Sequence, residues 1–326
     1  MLQSLVVATL VFGVGYIGSA LVQDLLFQGR DVVGFDNFFS TDRRAIDGFA
    51  LSPNFRFVAG SVNDSQAIDD AFDLAGESID TVFILAAQSS AHPDAATAEY
   101  TEETNLRGPR LILDAARRRG GSATVVFSSS TRVYGAILPP SIDESTSFGQ
   151  FSDLSHLSKC YVEKLLEMYA MTFGLRGRSV RLGLTFGVAP VFKTDRRFMT
   201  APNLFCYQAA SGSRLTVRSH DSVALIHVSD AVDALQLAAT APDPALNAVY
   251  NAVGDVRTIA EIASTVGILA SERDLSVEIE GLSRPEPGDS VRPMFSSRLE
   301  KYGFVPRRSL REGLTETIDH FLVRNQ

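Results

Sequence analysis

The sequence has no tryptophan and only two cysteines in 326 residues. Cys160 and Cys206 form neither a CxxC pair nor a disulfide framework, so we expect two reduced thiols and a cytoplasmic location. No metal is expected, because the histidine and acidic residues show no metal-ligand spacing. A Gly-x-Ser-x-Gly motif is absent, so a hydrolase nucleophile has no support. No run reaches the ~18 apolar residues that a membrane helix needs, so we expect no membrane partner.

The chain also has fewer basic residues than acidic ones. The 38 acidic residues outnumber the 30 basic ones, which gives a net charge of −8 and argues against nucleic acid as a partner. The densest basic run, Arg117 to Arg119, ends a predicted helix, where cations interact favourably with the helix dipole. The first apolar run, LVVATLVF, lacks a basic segment before it and leads into a glycine-rich turn. It therefore predicts a buried strand rather than a signal peptide.

The chain does contain a regular alternation of short β-rich runs and helical patterns. Such an alternation is typical of a parallel sheet with helices on both faces. The predicted strands are Leu5–Phe12, Asp31–Phe35, Phe55–Ala59, Thr81–Leu85, Thr124–Ser128 and Ser179–Leu184. The predicted helices are Ile17–Gln28, Gln66–Ala75, Glu103–Arg119 and Ser155–Phe173. The sequence therefore predicts the α/β class, with a doubly wound Rossmann sheet.

A glycine-rich turn follows the first predicted strand. Gly13, Gly15 and Gly18 form G-x-G-x-x-G, in which the glycines permit a tight turn, close approach of a pyrophosphate, and packing of the helix on the strand. Asp36 ends the second strand, where a carboxylate binds the adenosine ribose and repels a 2′-phosphate. This context predicts a dinucleotide site and favours NAD over NADP, although Arg43 and Arg44 leave NADP open.

The regular alternation of predicted strands and helices ends at about residue 187. A loop leads to a predicted helix at 204–211, a strand at 215–217, a helix at 229–239, a strand at 249–251 and a last helix at 310–322. We expect an NAD-binding Rossmann domain over residues 1–187, to which residues 225–255 return. Residues 188–224 and 256–326 then form a smaller substrate-binding lobe, with a Pro/Gly-rich loop at 281–295.

Several motifs together resemble the extended short-chain dehydrogenase/reductase family, the NAD-dependent sugar-nucleotide epimerases and dehydratases. The motifs are GYIGSALV, FDNFFS, FILAAQSS, NLRGPRLILDAARRRG, VVFSSSTRVYG, IHVSDAVDAL and VYNAVG, which run nearly end to end. The stretches HLSK and NLFCYQAASGSRLTV are in addition similar to those of the UDP-sulfoquinovose synthases within that family. The resemblance implies NAD as cofactor, a UDP-, GDP-, CDP- or dTDP-linked sugar as substrate, transient oxidation at C4, and a homodimer.

The resemblance also implies functional roles for individual residues. The implied cofactor-binding residues are Gly13, Gly15, Tyr16, Ile17, Gly18, Asp36, Asn37, Ser61, Val62, Ala86, Ala87, Gln88, Asn105, Ser128 and Lys159. The implied substrate-binding residues are Ser90, Ser130, Asn203, Arg214, Arg284 and Arg292. Ser130, Ser155 and Lys159 occupy the catalytic positions.

Some positions depart from the family pattern. Thr131 and Arg132 stand where 4,6-dehydratases carry Asp-Glu, so an ordinary 4,6-dehydratase is disfavoured. Leu184 stands where epimerases often have asparagine, and Val223 where many members have arginine. Ser61 replaces the usual aspartate at the adenine. These changes argue against the usual hexose substrates.

The most consequential departure is the missing tyrosine. The family's base is a tyrosinate four residues before Lys159, and this chain has Ser155 there. A serine hydroxyl is too weak an acid to act as a base unaided. His156, Tyr161, Tyr134 and a water held by Ser155 and Ser130 remain as substitutes, with His156 one residue from the base position.

Three interpretations of this position stay open. The chain is an active-site variant of a tyrosine-bearing enzyme, or a natural enzyme with altered proton chemistry, or an NAD(H)-binding module or sensor without turnover. The preserved glycine turn, Ser130 and Lys159 favour the first two. We therefore expect an NAD-dependent epimerase/dehydratase-type enzyme, with position 155 as the point that decides turnover.

Overall fold

The computed structural model describes residues 7–90, 92, 94–119, 123–193, 195–219, 221–281 and 292–324. Seven strands form the main sheet: β1 Ala8–Phe12, β2 Asp31–Asp36, β3 Phe55–Ala59, β4 Ile79–Ile84, β5 Thr124–Ser130, β7 Arg176–Leu182 and β11 Asn247–Ala252. Their order is β3-β2-β1-β4-β5-β7-β11, and every neighbouring pair is parallel. The order reverses on either side of β1, which creates a crevice at the carboxyl ends of β1 and β4.

Helices cover both faces of this sheet. The helices are α1 Tyr16–Phe27, α2 Asp47–Ala50, α3 Ser65–Ala75, α4 Ala98–Glu102, α5 Gly108–Arg118, α6 Leu154–Phe173, α7 Ala201–Ala210, α8 Val228–Thr240, α9 Ile259–Ser271 and α10 Leu310–Arg324. One apolar core joins α3, α5 and α6 to the sheet, and a second joins α1 and α8 to its other face. The doubly wound Rossmann fold predicted from the sequence is therefore confirmed.

Short strands and a third apolar core lie outside the main sheet, and the part of the molecule built around that core is called the second lobe. The short strands are β6 Ser141–Ile142, β8 Leu184–Phe186, β9 Leu215–Thr216, β10 Ser222–His227, β12 Asp255–Thr258, β13 Ile279–Glu280 and β14 Met294–Phe295. They pair as β12-β10-β8, β13-β9 and β14-β6. The third core packs α7, α9 and α10 together. Residues 225–255 return to the main sheet through α8 and β11, whereas the first of them, in β10, belong to the three-stranded sheet.

Several elements differ from their predicted bounds, and two of them differ where the local pattern is interrupted. The predicted helix Glu103–Arg119 begins earlier, in α4, and passes through a π-helical turn at Glu103–Arg107. The predicted strand Ser179–Leu184 begins at Arg176 and ends at Leu182, and Gly183 separates it from β8. The sequence did not predict the start of this strand because arginines are unusual in a buried strand. Arg178 is nevertheless fully buried, and its guanidinium donates to the carbonyl oxygens of nearby residues, Ala245 among them.

Candidate active site

A cavity of about 620 Å³ lies at the carboxyl ends of the central strands and extends to the second lobe. Most residues predicted to bind cofactor or substrate line it: Gly13, Gly15, Tyr16, Ile17, Gly18, Asp36, Asn37, Val62, Ala86, Ala87, Ser90, Ser128, Ser130, Lys159 and Asn203. Leu184 and Val223, the two departures from the family pattern, line it as well. The fold thus gathers residues far apart in the sequence into one concave site, as expected for small-molecule binding.

The glycine-rich turn forms one wall of the cavity. Gly13 has a φ of +101°, and a Cβ atom there would lie 2.4 Å from the backbone nitrogen of Ala86. A Cβ atom at Gly18 would lie 1.8 Å from the carbonyl oxygen of Gly13. A Cβ atom at Gly15 would meet nothing within 4 Å, because this residue faces the open cavity. The turn therefore leaves room for a pyrophosphate at the start of α1, as a dinucleotide requires.

Asp36 lies at the end of the cavity where the adenosine ribose of a dinucleotide would bind. Its carboxylate accepts a hydrogen bond of 2.7 Å from the backbone of Phe38. Burial raises the pKa of Asp36, and backbone hydrogen bonds oppose this rise. Nearby, Asn37 donates to the hydroxyl of Tyr100, whose ring stacks on Phe39 at 4.1 Å. These aromatic side chains give the adenosine end a wall that the sequence did not indicate.

Lys159 lies in the middle of the cavity, on α6. Its ammonium donates to the carbonyl oxygen of Ser128 at 2.9 Å and lies 4.8 Å from the centre of the Phe127 ring. Burial lowers the pKa of Lys159 to about 8, and the nearby charge of Lys193 contributes to that fall. Lys159 is therefore positively charged at neutral pH, and it loses this charge at alkaline pH.

Ser130 ends β5 beside Lys159. Its hydroxyl accepts a hydrogen bond of 3.2 Å from the backbone nitrogen of Arg132 and so caps a short 3-10 turn, Thr131–Tyr134. The turn places Ser130, Thr131 and Arg132 on the cavity wall. The hydrogen bond to Arg132 fixes the Ser130 hydroxyl at the wall of the cavity that Lys159 also lines.

Ser155 lies at the start of α6, one helical turn before Lys159. It is buried, does not line the cavity, and donates a hydrogen bond of 3.1 Å to the carbonyl oxygen of Gln88. Asn105 donates to the same oxygen at 2.9 Å and accepts from the backbone nitrogen of Gln88 at 2.8 Å. Ser155, Gln88 and Asn105 thus fix the loop after β4, and Ala86 and Ala87 of that loop line the cavity.

The next residue on α6, His156, does line the cavity. Its Nδ1 atom lies 2.6 Å from Oδ2 of Asp153, the residue that caps the amino terminus of α6. Burial raises the pKa of the Asp153 carboxyl, but hydrogen bonds from His156 outweigh this effect, so that the pKa is lowered overall. Asp153 is therefore ionised at neutral pH.

Asn203 joins the two lobes at the far end of the cavity. It lies in the first turn of α7, accepts from the backbone of Gly187 at 3.0 Å and donates to the Tyr16 hydroxyl at 3.0 Å. The Tyr16 hydroxyl in turn donates to the carbonyl oxygen of Gly187 at 2.6 Å, and burial raises the pKa of Tyr16. These hydrogen bonds hold the start of α1 and the start of α7 next to each other at the cavity wall.

A loop between β8 and α7 supplies cationic residues that the sequence reading missed. Lys193 lines the cavity and donates to the Ser89 hydroxyl at 3.1 Å, and burial lowers its pKa to about 8. Arg197 lines the cavity beside it and is paired with Asp195. No motif marks this loop, and its position over the cavity depends on the fold of the second lobe.

The remaining predicted site residues lie elsewhere. Ser61 accepts a hydrogen bond from the backbone of Asn63 and does not line the cavity. Arg214 pairs with Glu278 and Glu280 on the second lobe, and Arg292 pairs with Glu261. Arg284 lies outside the described residues. Roles for these residues stay predictions.

A parallel sheet, a glycine-rich turn and a cavity at the switch point define a Rossmann-type dinucleotide-binding protein. A family model described as "NAD dependent epimerase/dehydratase family" matches residues 9–252. The chain belongs to this family of NAD-dependent enzymes. Within the described residues, no helix is long and apolar enough to cross a membrane, and no group of three or more histidine, cysteine or acidic residues could hold a metal.

Related proteins span almost the full chain. A UDP-N-acetyl-alpha-D-glucosaminuronate decarboxylase of Bacillus cytotoxicus is 27% identical over 319 residues, which cover 95% of each chain. A UDP-glucose 4-epimerase of Thermus thermophilus, solved with NAD, is 25% identical with a TM-score of 0.80, covering 96% of this chain and 98% of the other. A UDP-glucose 4-epimerase of Thermotoga maritima shares the fold at 24% identity and a TM-score of 0.81, covering 98% and 100% of the chains.

Proposed function

We propose that this protein acts on a nucleotide-activated sugar by transient oxidation of a ring carbinol, at C4. The convergence of Ser130 and Lys159 with the glycine turn in one cavity carries this proposal. The substrates named for the related proteins are UDP-sugars, which supports UDP first among the UDP-, GDP-, CDP- and dTDP-linked candidates. Both buried cysteines are free, which agrees with a cytoplasmic location.

Each group has a part in this reaction. NAD, when bound, supplies hydride acceptance and return. Lys159 holds the nicotinamide ribose and provides positive charge, which favours loss of a proton from the reacting hydroxyl. Ser130 orients that hydroxyl. Asn203, in the first turn of α7, lines the cavity and would bind the diphosphate of the sugar nucleotide.

A non-catalytic NAD(H)-binding protein is the second candidate. The observation that favours it is the position of Ser155, whose hydroxyl is buried against Gln88 and does not face the cavity. Such a protein would bind the cofactor and a nucleotide sugar and would report their presence through its conformation, without turnover.

The experiment that separates these candidates compares the chain with its Ser155→Tyr variant. Each is incubated with NAD and a panel of UDP-, dTDP-, GDP- and CDP-sugars, and NADH absorbance and sugar products are followed. Turnover by either chain supports the enzyme. If neither chain converts any sugar while NAD still binds by calorimetry, the protein is a binding module instead.

We also propose that the protein is a homodimer formed through α6 and the segment before α5. An apolar concavity of about 540 Å³ lies there between α4 and α6, lined by Leu106, Leu154, Leu157 and Tyr161 among others. Leu157 and Tyr161 are 49% and 43% exposed in the single chain, and a second copy of α6 would cover them. Pairing of such faces is driven by burial of apolar surface.

Two charges on this face are expected to produce a monomer. Leu157→Glu combined with Tyr161→Glu would place carboxylates in an apolar interface, where burial of an unpaired charge is unfavourable. Light scattering after size exclusion should show half the mass of the unmodified protein. Leu51→Glu is the matched control, because Leu51 lies away from this face and is 89% exposed. This variant should leave the mass unchanged. An unmodified protein that is already a monomer at micromolar concentration would contradict the dimer.

A further inference from the structure

The oxidation proposed above requires an acceptor for the hydroxyl proton, and Ser155 does not provide one. The Ser155 side chain is 4% exposed and its hydroxyl already donates to Gln88. The carbonyl oxygen of Ser155 accepts from the Ser158 hydroxyl at 2.7 Å, and Ser158 in turn accepts from Asn105 at 3.0 Å. These bonds tie the start of α6 to the loop after β4. Ser155 is therefore a structural residue in this chain.

His156 has the features that Ser155 lacks. It lines the same cavity as Ser130 and Lys159, and its side chain is 21% exposed. A proton on Nδ1 is held by the Asp153 carboxylate at 2.6 Å, which leaves the lone pair of the neutral ring on Nε2. No described residue forms a hydrogen bond with Nε2, so this atom is available to a ligand in the cavity. A histidine oriented by a carboxylate is a common general base.

We propose that His156, oriented by Asp153, accepts the hydroxyl proton in place of the absent tyrosinate. The inference rests on the proposed function. In the oxidation, the carbinol C–H bond breaks and its hydride passes to the nicotinamide of NAD⁺. The O–H bond breaks and its proton passes to Nε2 of His156, while the C–O bond becomes a carbonyl. The sugar loses two electrons to the cofactor and one proton to the protein, and the return step reverses both transfers.

The charges around His156 come from three elements. Asp153, on its own helix, holds the Nδ1 side of the ring. Lys159, one turn further along α6, lines the same cavity, as does Arg132, which lies on the turn after β5 and within electrostatic range of Asp153. Lys193 approaches from the loop of the second lobe.

Asp153 also has a structural task, which the experiment must separate from the proposed one. Its Oδ1 atom accepts from the backbone nitrogen of His156 at 3.0 Å and caps α6. Asparagine caps a helix as well as aspartate does, but its amide nitrogen cannot accept a proton from Nδ1. Asp153→Asn therefore keeps the cap and removes the orienting carboxylate.

The experiment measures single-turnover NADH formation with NAD and the sugar nucleotide that the panel identifies. We expect His156→Gln to slow this step by ~100-fold or more, with the affinities for NAD and the sugar nucleotide unchanged within about twofold. Added imidazole should restore part of the rate to His156→Ala. Asp153→Asn should slow the step while the melting temperature stays near that of the unmodified chain.

A second measurement needs no turnover. The ¹⁵N chemical shifts of His156 in the protein without ligands should show the tautomer protonated at Nδ1, and Asp153→Asn should shift the ring away from it. A rate in His156→Gln within about threefold of the unmodified chain would overturn the proposal, as would Nε2 protonation in the neutral ring. Turnover only by Ser155→Tyr would also overturn it while supporting the proposed function. Absence of turnover in every chain would remove the proposed function itself.

Discussion

Replacing Gly18 with alanine is expected to lower the free energy of unfolding by ~4 kcal/mol or more, among the largest effects of a single methyl group. The added Cβ atom would lie 1.8 Å from the carbonyl oxygen of Gly13, far inside van der Waals contact. Gly13 cannot shift to relieve this contact, because it is itself packed closely against the backbone of Ala86. A Cβ atom built on Gly13 would lie 2.4 Å from the Ala86 nitrogen. The clash is therefore between backbone segments, and α1 must separate from β1. Urea denaturation followed by circular dichroism measures the loss.

Gly15→Ala is the matched control for this prediction. Its Cβ atom would meet nothing within 4 Å, and its φ of −86° lies outside the left-handed region that favours glycine. The fold should keep its stability within ~0.5 kcal/mol, as surface substitutions usually do. NAD binding should nevertheless weaken, because the new methyl group would occupy the approach of the pyrophosphate. Equal stability losses in Gly15→Ala and Gly18→Ala would contradict the distinction between the two glycines.

Replacing Glu163 with alanine is expected to lower the free energy of unfolding by about 3–5 kcal/mol. The Glu163 carboxylate lies 2.7 Å from the guanidinium of Arg181, and both side chains are almost completely buried. It also accepts a hydrogen bond from Ser129 of β5. Removal of the carboxylate would leave a buried arginine without its anionic partner, with hydrogen bonds to the neutral Tyr134 hydroxyl at 2.7 Å and to the carbonyl oxygen of Glu144 at 3.3 Å. Chemical denaturation measures this loss.

Glu167, one turn further along the same helix, gives the comparison. It pairs with Lys164 at 2.8 Å, but both side chains are largely in solvent. Glu167→Ala should therefore cost less than ~1 kcal/mol, as exposed ion pairs do. A loss of similar size in both variants would contradict the assignment of the effect to the buried charge, because alanine favours the helix at both positions. The Glu163 carboxylate also raises the pKa of Lys159, so its removal should lower that pKa further.

The sequence predicted the sheet and the cofactor end of the site because their rules are local. Apolar runs on both faces of a strand indicate burial, and G-x-G-x-x-G followed by Asp36 indicates a turn that receives a pyrophosphate. The structure confirms the parallel sheet, with β2, β3, α3, α6 and α8 within two residues of their predicted bounds. Errors occurred where a local pattern was interrupted. The π-helical turn at Glu103–Arg107 and the buried charges of β7 both break the expected periodicity.

By itself, the sequence determined the fold class, the glycine turn and the place of Ser155 one helical turn before Lys159. Only the tertiary structure decided which way these side chains face. Ser155 is turned toward Gln88, sixty-seven positions away, and His156 toward the cavity. Lys193 reaches the same cavity from a loop without any motif. The physical reason is that a hydrogen bond between distant segments fixes a side chain's direction, whereas spacing along a helix fixes only its approximate face.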